Sequence, residues 1–180
     1  MNIVNRLLHF VGQDKDAGIF REIPLNVKGG LFVSPMPYGA YDPGSRVFKL
    51  YLQHKIDHIF ILVTDEELVK KSRRNLLKKY EDNGITFSRF TLKDWMAPSM
   101  DVVQEMVKEA QHRLRTQRIA VHCHAGVGRT AIAVCCIAMV VEGWSAAQAM
   151  KNISEYMTIN ITSEQKNFIN KFEDTLNGIN

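Results

Sequence analysis

The stretch His122-Cys123-His124-Ala125-Gly126-Val127-Gly128-Arg129-Thr130 constrains this chain more than any other. A short apolar run, Ile119 to Val121, precedes it, and a long one, Ala131 to Val141, follows it. The pattern predicts a buried strand, a tight glycine loop and a helix start. A chain that turns from strand into helix leaves several backbone N–H groups unpaired. Gly126 and Gly128 are expected to take positive φ, which lets the backbone approach a ligand closely. Successive inward N–H groups make an anion nest, and the helix dipole adds positive potential there. Arg129 closes the loop with a planar fork able to hold two oxygens of one oxyanion. His124, Ala125, Gly126, Val127, Gly128 and Arg129 would together form a cradle for a tetrahedral dianion.

Cys123 would lie at the bottom of that cradle. The field that binds a dianion also favours a thiolate, so Cys123 reads as a nucleophile that needs no separate base. Thr130 could reach back to hydrogen-bond the sulfur and steady it as a leaving group. His122 is expected to orient the loop through hydrogen bonds. With these residues in view, His122-Cys-x-x-Gly-x-x-Arg129-Thr130 resembles the phosphate loop of the cysteine-dependent protein tyrosine and dual-specificity phosphatases. The resemblance covers about residues 30 to 175. It implies a phosphomonoester hydrolase with a cysteinyl-phosphate intermediate, no cofactor and no metal.

Thiolate attack needs a proton donor for the departing oxygen. Asp94, with Pro98 four residues later, resembles the mobile general-acid loop of the same family. Leu92-Lys93 stand where the family often has tryptophan and proline, and Trp95 follows the aspartate instead. Partial burial under Trp95 and Met96 is expected to favour the protonated carboxyl. Ser99 or Asp101 is better placed to cap the next helix, which leaves Asp94 free. Near the C-terminus, Ile161 to Ile169 resembles the family's segment that positions the hydrolytic water. Gln165 matches the second of its two glutamines, and Ile161 replaces the first. Gln165 reads equally well as a capping residue behind Thr162 or Ser163.

The chain has 180 residues, 46% hydrophobic and 23% charged, which suits one domain with a sizeable core. The expected organisation is a single domain over 1–180, with residues 1–29 as an extension packed on it. Strands are predicted at Phe20–Leu25, Gly30–Ser34, Asp57–Val63, Ile85–Thr91 and Ile119–His122. Helices are predicted at Arg46–Lys55, Glu66–Tyr80, Asp101–Thr116, Thr130–Glu142, Ser145–Met157 and Ser163–Leu176. Residues 1–20 read as an amphipathic element and a polar turn. The alternation implies an α/β fold with a mostly parallel sheet of four to five strands and helices on both faces. Tyr38 and Tyr41, in a proline- and glycine-rich turn, are candidates for a pocket rim.

Three cysteines cannot all pair, which points to a reducing compartment, the cytoplasm, with Cys135 and Cys136 as core thiols. Leu7 to Val11 is too short for a signal peptide, and Ala131 to Val141 is too short to span a bilayer, so no membrane anchor is expected. Net charge is +4, with basic residues gathered at Lys70, Lys71, Arg73, Arg74, Lys78 and Lys79 and at Arg113, Arg115 and Arg118. These read as solvated helix faces or as a field that steers phosphorylated ligands. No aromatics interleave with them, which argues against a nucleic-acid partner. Three consecutive residues, His122 to His124, cannot easily converge on one metal ion.

The expected partner is a phosphorylated protein or a small phosphoester. The compact chain favours the dual-specificity type. Inositol polyphosphates or phosphoinositides are the second possibility, and a non-catalytic phosphate-binding module is the third.

Overall fold

The computed structural model describes residues 19–178, so the features read in residues 1–18 lie outside the described residues. Five strands form one sheet: β1 Arg21–Ile23, β2 Gly30–Ser34, β3 His58–Ile61, β4 Thr86–Arg89 and β5 Arg118–His122, in the order β1-β2-β5-β3-β4. Only β1 runs antiparallel; the other pairings are parallel. Every residue of β2 and β3 is buried, as a parallel sheet covered on both faces requires. The edge strand β4 is half-buried to exposed.

Among the described residues, seven α-helices flank this sheet: α1 Val47–Gln53, α2 Asp65–Lys71, α3 Leu76–Asp82, α4 Met100–Arg113, α5 Arg129–Glu142, α6 Ala146–Ser154 and α7 Ser163–Asn177. Helix α5 is buried without interruption from Arg129 to Met139, which explains its apolar character on all sides. Gly143 ends it in the left-handed region, φ +69°. Cys135 and Cys136 lie in this buried stretch, unpaired, and burial pushes the Cys135 thiol up to about 12. Among the described residues, no single helix is long and apolar enough to cross a membrane.

The register decides where the loop after β5 emerges. Ser34 of β2 and Ile61 of β3 both sit opposite His122. Cys123 therefore leaves the sheet between two flanking strands at its carboxyl edge, where open α/β sheets bind ligands.

The helix expected over Glu66–Tyr80 is two helices. Ser72 takes an extended conformation, and its hydroxyl both donates to Arg74 O (2.9 Å) and accepts from Arg74 N (3.3 Å). Such local bonding competes with helical pairing. Asn75 then caps α3 by accepting from Lys78 N.

Candidate active site

The loop after β5 is built around the sulfur. Cys123 Sγ is buried and accepts a hydrogen bond from Gly126 N at 3.2 Å. Gly126 has φ +80°, and a Cβ there would stand 2.7 Å from the Ser34 carbonyl. Both conformation and space therefore demand glycine. Gly128 differs from expectation: its φ is −103° and its ψ −86°. Its constraint is closeness, since a Cβ would meet Asn160 O at 3.1 Å. The loop is pinned from outside by Met36 N donating to His124 O (3.1 Å) and Asn160 N donating to Val127 O (3.0 Å). These bonds anchor the loop on either side of Gly126, whose amide meets the sulfur.

Arg129 is the first residue of α5 and is 1% exposed. Its Nη1 donates to Glu67 Oε2 (2.7 Å) and to Leu92 O (3.2 Å), and its Nη2 donates to Glu67 Oε1 (3.1 Å). The guanidinium has five N–H donors in one plane. Those left over are Nε–H and the second Nη2–H, side by side on one edge. Nε makes no hydrogen bond among the described residues and faces Asp94 Oδ1 at 3.3 Å. That edge can hold two oxygens of a phosphate. Burial pushes the Glu67 carboxyl up, but the bonds from Arg129 and Lys71 outweigh it and hold the group at about 2. Glu67 is thus an ionised brace, and it also closes the capping box of α2 with Thr64.

His122 is fully buried between two partners. Its Nδ1 lies 3.0 Å from Cys123 O and its Nε2 lies 3.2 Å from Tyr80 Oη. A carbonyl only accepts, so Nδ1 carries the proton and Nε2 accepts from the Tyr80 hydroxyl. Burial lowers the imidazole to about 4, and the neutral ring fixes the Cys123 backbone. Burial and Arg113 lower His58 to about 4 in the same way. Both histidines refuse a proton that the unfolded chain accepts below 6.5. Each therefore removes about 3 kcal/mol of stability as the pH falls from about 6.5 to about 4. Urea denaturation across that window should show a steep fall, and a flat profile between neutrality and about pH 5 would contradict it.

Asp94 stands where the resemblance places the acid, in the loop between β4 and α4, within reach of the Arg129 edge. It is not buried under its neighbours as expected: the Asp94 side chain is 46% exposed, Trp95 62% and Met96 51%. The reason is local, because Trp95 sits at φ +61°, a turn that throws its ring outward. Ser99 caps α4, so Asp94 has no capping duty. Thr130 Oγ1 is buried but makes no hydrogen bond among the described residues, so the expected bond to the sulfur is not formed. Gln165 forms the capping box with Thr162, and its Nε2 also donates to Met96 O at 3.0 Å. Tyr41, exposed, lies edge-on to His124 with ring centroids 5.0 Å apart, at the mouth of the loop. Tyr38 instead packs beside Phe48.

The sequence profile of the DSP-PTPase phosphatases of polymorphic toxin systems matches residues 39–143, more than half of the chain. The chain belongs to the DSP-PTPase phosphatase family. The DSP-PTPase is 37% identical over 71 residues to protein tyrosine phosphatase domain-containing protein 1 of Danio rerio, covering 39% of this chain and 10% of that protein. It is 27% identical over 124 residues to cyclin-dependent kinase inhibitor 3 of Mus musculus, covering 67% of this chain and 59% of that one. The chain thus spans less than two thirds of the length of either relative. Its fold is that of the kinase associated phosphatase, solved with its catalytic-site cysteine changed to serine: TM-score 0.78, 22% identity, 89% of this chain and 97% of the other.

Two residues of this DSP-PTPase site escaped the reading of its sequence. In the sequence Glu67 and Tyr80 stand only as members of the helix expected over Glu66–Tyr80. Asp42 is a third structural contributor. Its buried carboxylate accepts from the N–H groups of Tyr38, Arg46 and Val47, and so ties down the turn that presents Tyr41.

Proposed function

We propose that the chain is a metal-independent phosphomonoester hydrolase of the dual-specificity/tyrosine type, acting on phosphorylated protein through a Cys123-phosphate intermediate. One observation carries this reading. The sulfur, the Gly126 amide that donates to it and the Nε edge of Arg129, facing Asp94, belong to one loop at the carboxyl end of the central strand. In the first step Cys123 Sγ attacks phosphorus, the bond to the leaving oxygen breaks, and Asp94 gives that oxygen its proton. In the second a water oxygen attacks phosphorus, the sulfur–phosphorus bond breaks, and the water's proton returns to Asp94. Arg129 and the loop amides stabilise the equatorial oxygens throughout, which is the dominant electrostatic contribution in such sites. The positive charge comes from the protein itself, so the steps call for no metal ion. A catalytic-site cysteine in the structurally similar kinase associated phosphatase supports the assignment. The unpaired cysteines support a reducing, cytoplasmic setting.

The test is a turnover panel in the presence of chelator, using phosphotyrosine, phosphoserine and phosphothreonine peptides, inositol hexakisphosphate and phosphoinositides. Phosphopeptide turnover is expected. Preference for the inositol substrates would select the other substrate class, and binding without turnover would overturn the enzymatic reading. Asp94→Ala is expected to lose on the order of 10²-fold in kcat/KM with phosphoserine peptide, and much less with an activated aryl phosphate. Equal losses on both would place the acid elsewhere.

A further inference from the structure

The turn that carries Asp94 is held in a conformation its own residues disfavour. Trp95 adopts φ +61°, a left-handed region that costs a bulky residue energy and persists only where surroundings enforce it. The exposed Trp95 ring supplies little of that enforcement. Within the turn there is one long bond, Met96 N to Lys93 O at 3.4 Å. Before the turn, Leu92 is fixed by donating to Leu62 O (3.1 Å) and accepting from Arg129 Nη1 (3.2 Å). After it, Met96 O accepts from Gln165 Nε2 at 3.0 Å.

Gln165 is well suited to this task. It is 2% exposed, and its Oε1 accepts from Thr162 N at 3.0 Å, which fixes the orientation of the amide. With the oxygen committed to that N–H, the NH2 group must face Met96 O. The link joins the start of α7 to a loop 69 residues earlier in the chain.

We propose that Gln165 is a positioning residue for Asp94: its side-chain amide latches the strained Lys93–Met96 turn so that the carboxyl faces the Arg129 edge. This rests on the proposed acid role of Asp94. Gln165→Glu isolates the latch, because glutamate at this position still serves the capping box while presenting an oxygen to Met96 O. Initial rates are measured on aryl phosphates whose phenols span a wide range of acidity.

The expected result is a loss of about 10-fold in kcat/KM for the most basic leaving groups and under about 2-fold for the most acidic. Asp94→Ala should steepen the same dependence, and adding Gln165→Glu to it should cause no further loss. An equal loss across all leaving groups, or additive losses in the double variant, would overturn the latch and assign Gln165 to the water or the fold. No steepening in Asp94→Ala alone would remove the acid assignment and the latch with it. Should Gln165→Glu fold poorly, Gln165→Asn is one methylene too short to span the same gap and is expected to give the same pattern.

Discussion

Cys123→Ser is expected to lower kcat by about 10⁴-fold or more while leaving phosphate binding largely intact. Serine is close to cysteine in size, and its Oγ can still accept from the Gly126 N–H that now meets the sulfur. The loop should therefore keep its shape. What is lost is the sulfur nucleophile, since a serine hydroxyl attacks poorly without a base to take its proton. No neighbouring base compensates. The adjacent His122 cannot serve, because its Nδ1 is committed to Cys123 O and its Nε2 to Tyr80. Single-turnover kinetics with a phosphopeptide, beside calorimetric titration with the same peptide, separate the two quantities. Activity within about 10-fold of the native enzyme would remove the nucleophile from this mechanism.

What the sequence disclosed follows how local each piece of information is. Strand β5, the loop and α5 are consecutive, and their boundaries depend on the glycines and apolar runs beside them. The loop could therefore be read almost complete. Gly128 shows the limit of that reading, because its tight spot is made by Asn160, a residue from another part of the chain. Glu67 shows it more sharply. It lies 62 residues before Arg129, and nothing near it in sequence separates a helix cap from a brace for a buried guanidinium. The break at Ser72 was hidden for a different reason. The ion pairs Glu66–Lys70, Glu67–Lys71 and Lys78–Asp82 keep a helical i, i+4 pattern on both sides of it, so charge periodicity passes over the gap. The burial expected for Asp94 was not legible, because the left-handed Trp95 decides which way the turn faces.

Arg129→Lys should cost on the order of 10³-fold in kcat/KM, with a much smaller effect on stability. The guanidinium does two jobs at once. One end binds Glu67 through both Nη atoms and Leu92 O through Nη1, and the other edge is left for substrate. An ammonium is a point donor and cannot span both. Buried beside an ionised Glu67, the lysine is expected to settle on that carboxylate, since a desolvated carboxylate without a partner costs several kcal/mol. The ion pair then survives and the fold tolerates the change, but the two-oxygen grip on the phosphate is gone. Glu67→Gln tests the same division from the other side. The amide offers one acceptor oxygen where the carboxylate offered two, so Arg129 is held less rigidly, and a loss of about 10-fold is expected with the nucleophile untouched. Thermal melting and steady-state rates on the two variants decide the matter. If Arg129→Lys keeps activity within about 10-fold, the planar edge is not what binds the transferring phosphoryl group. If instead it melts as badly as it fails to turn over, Arg129 matters chiefly as a core ion-pair partner.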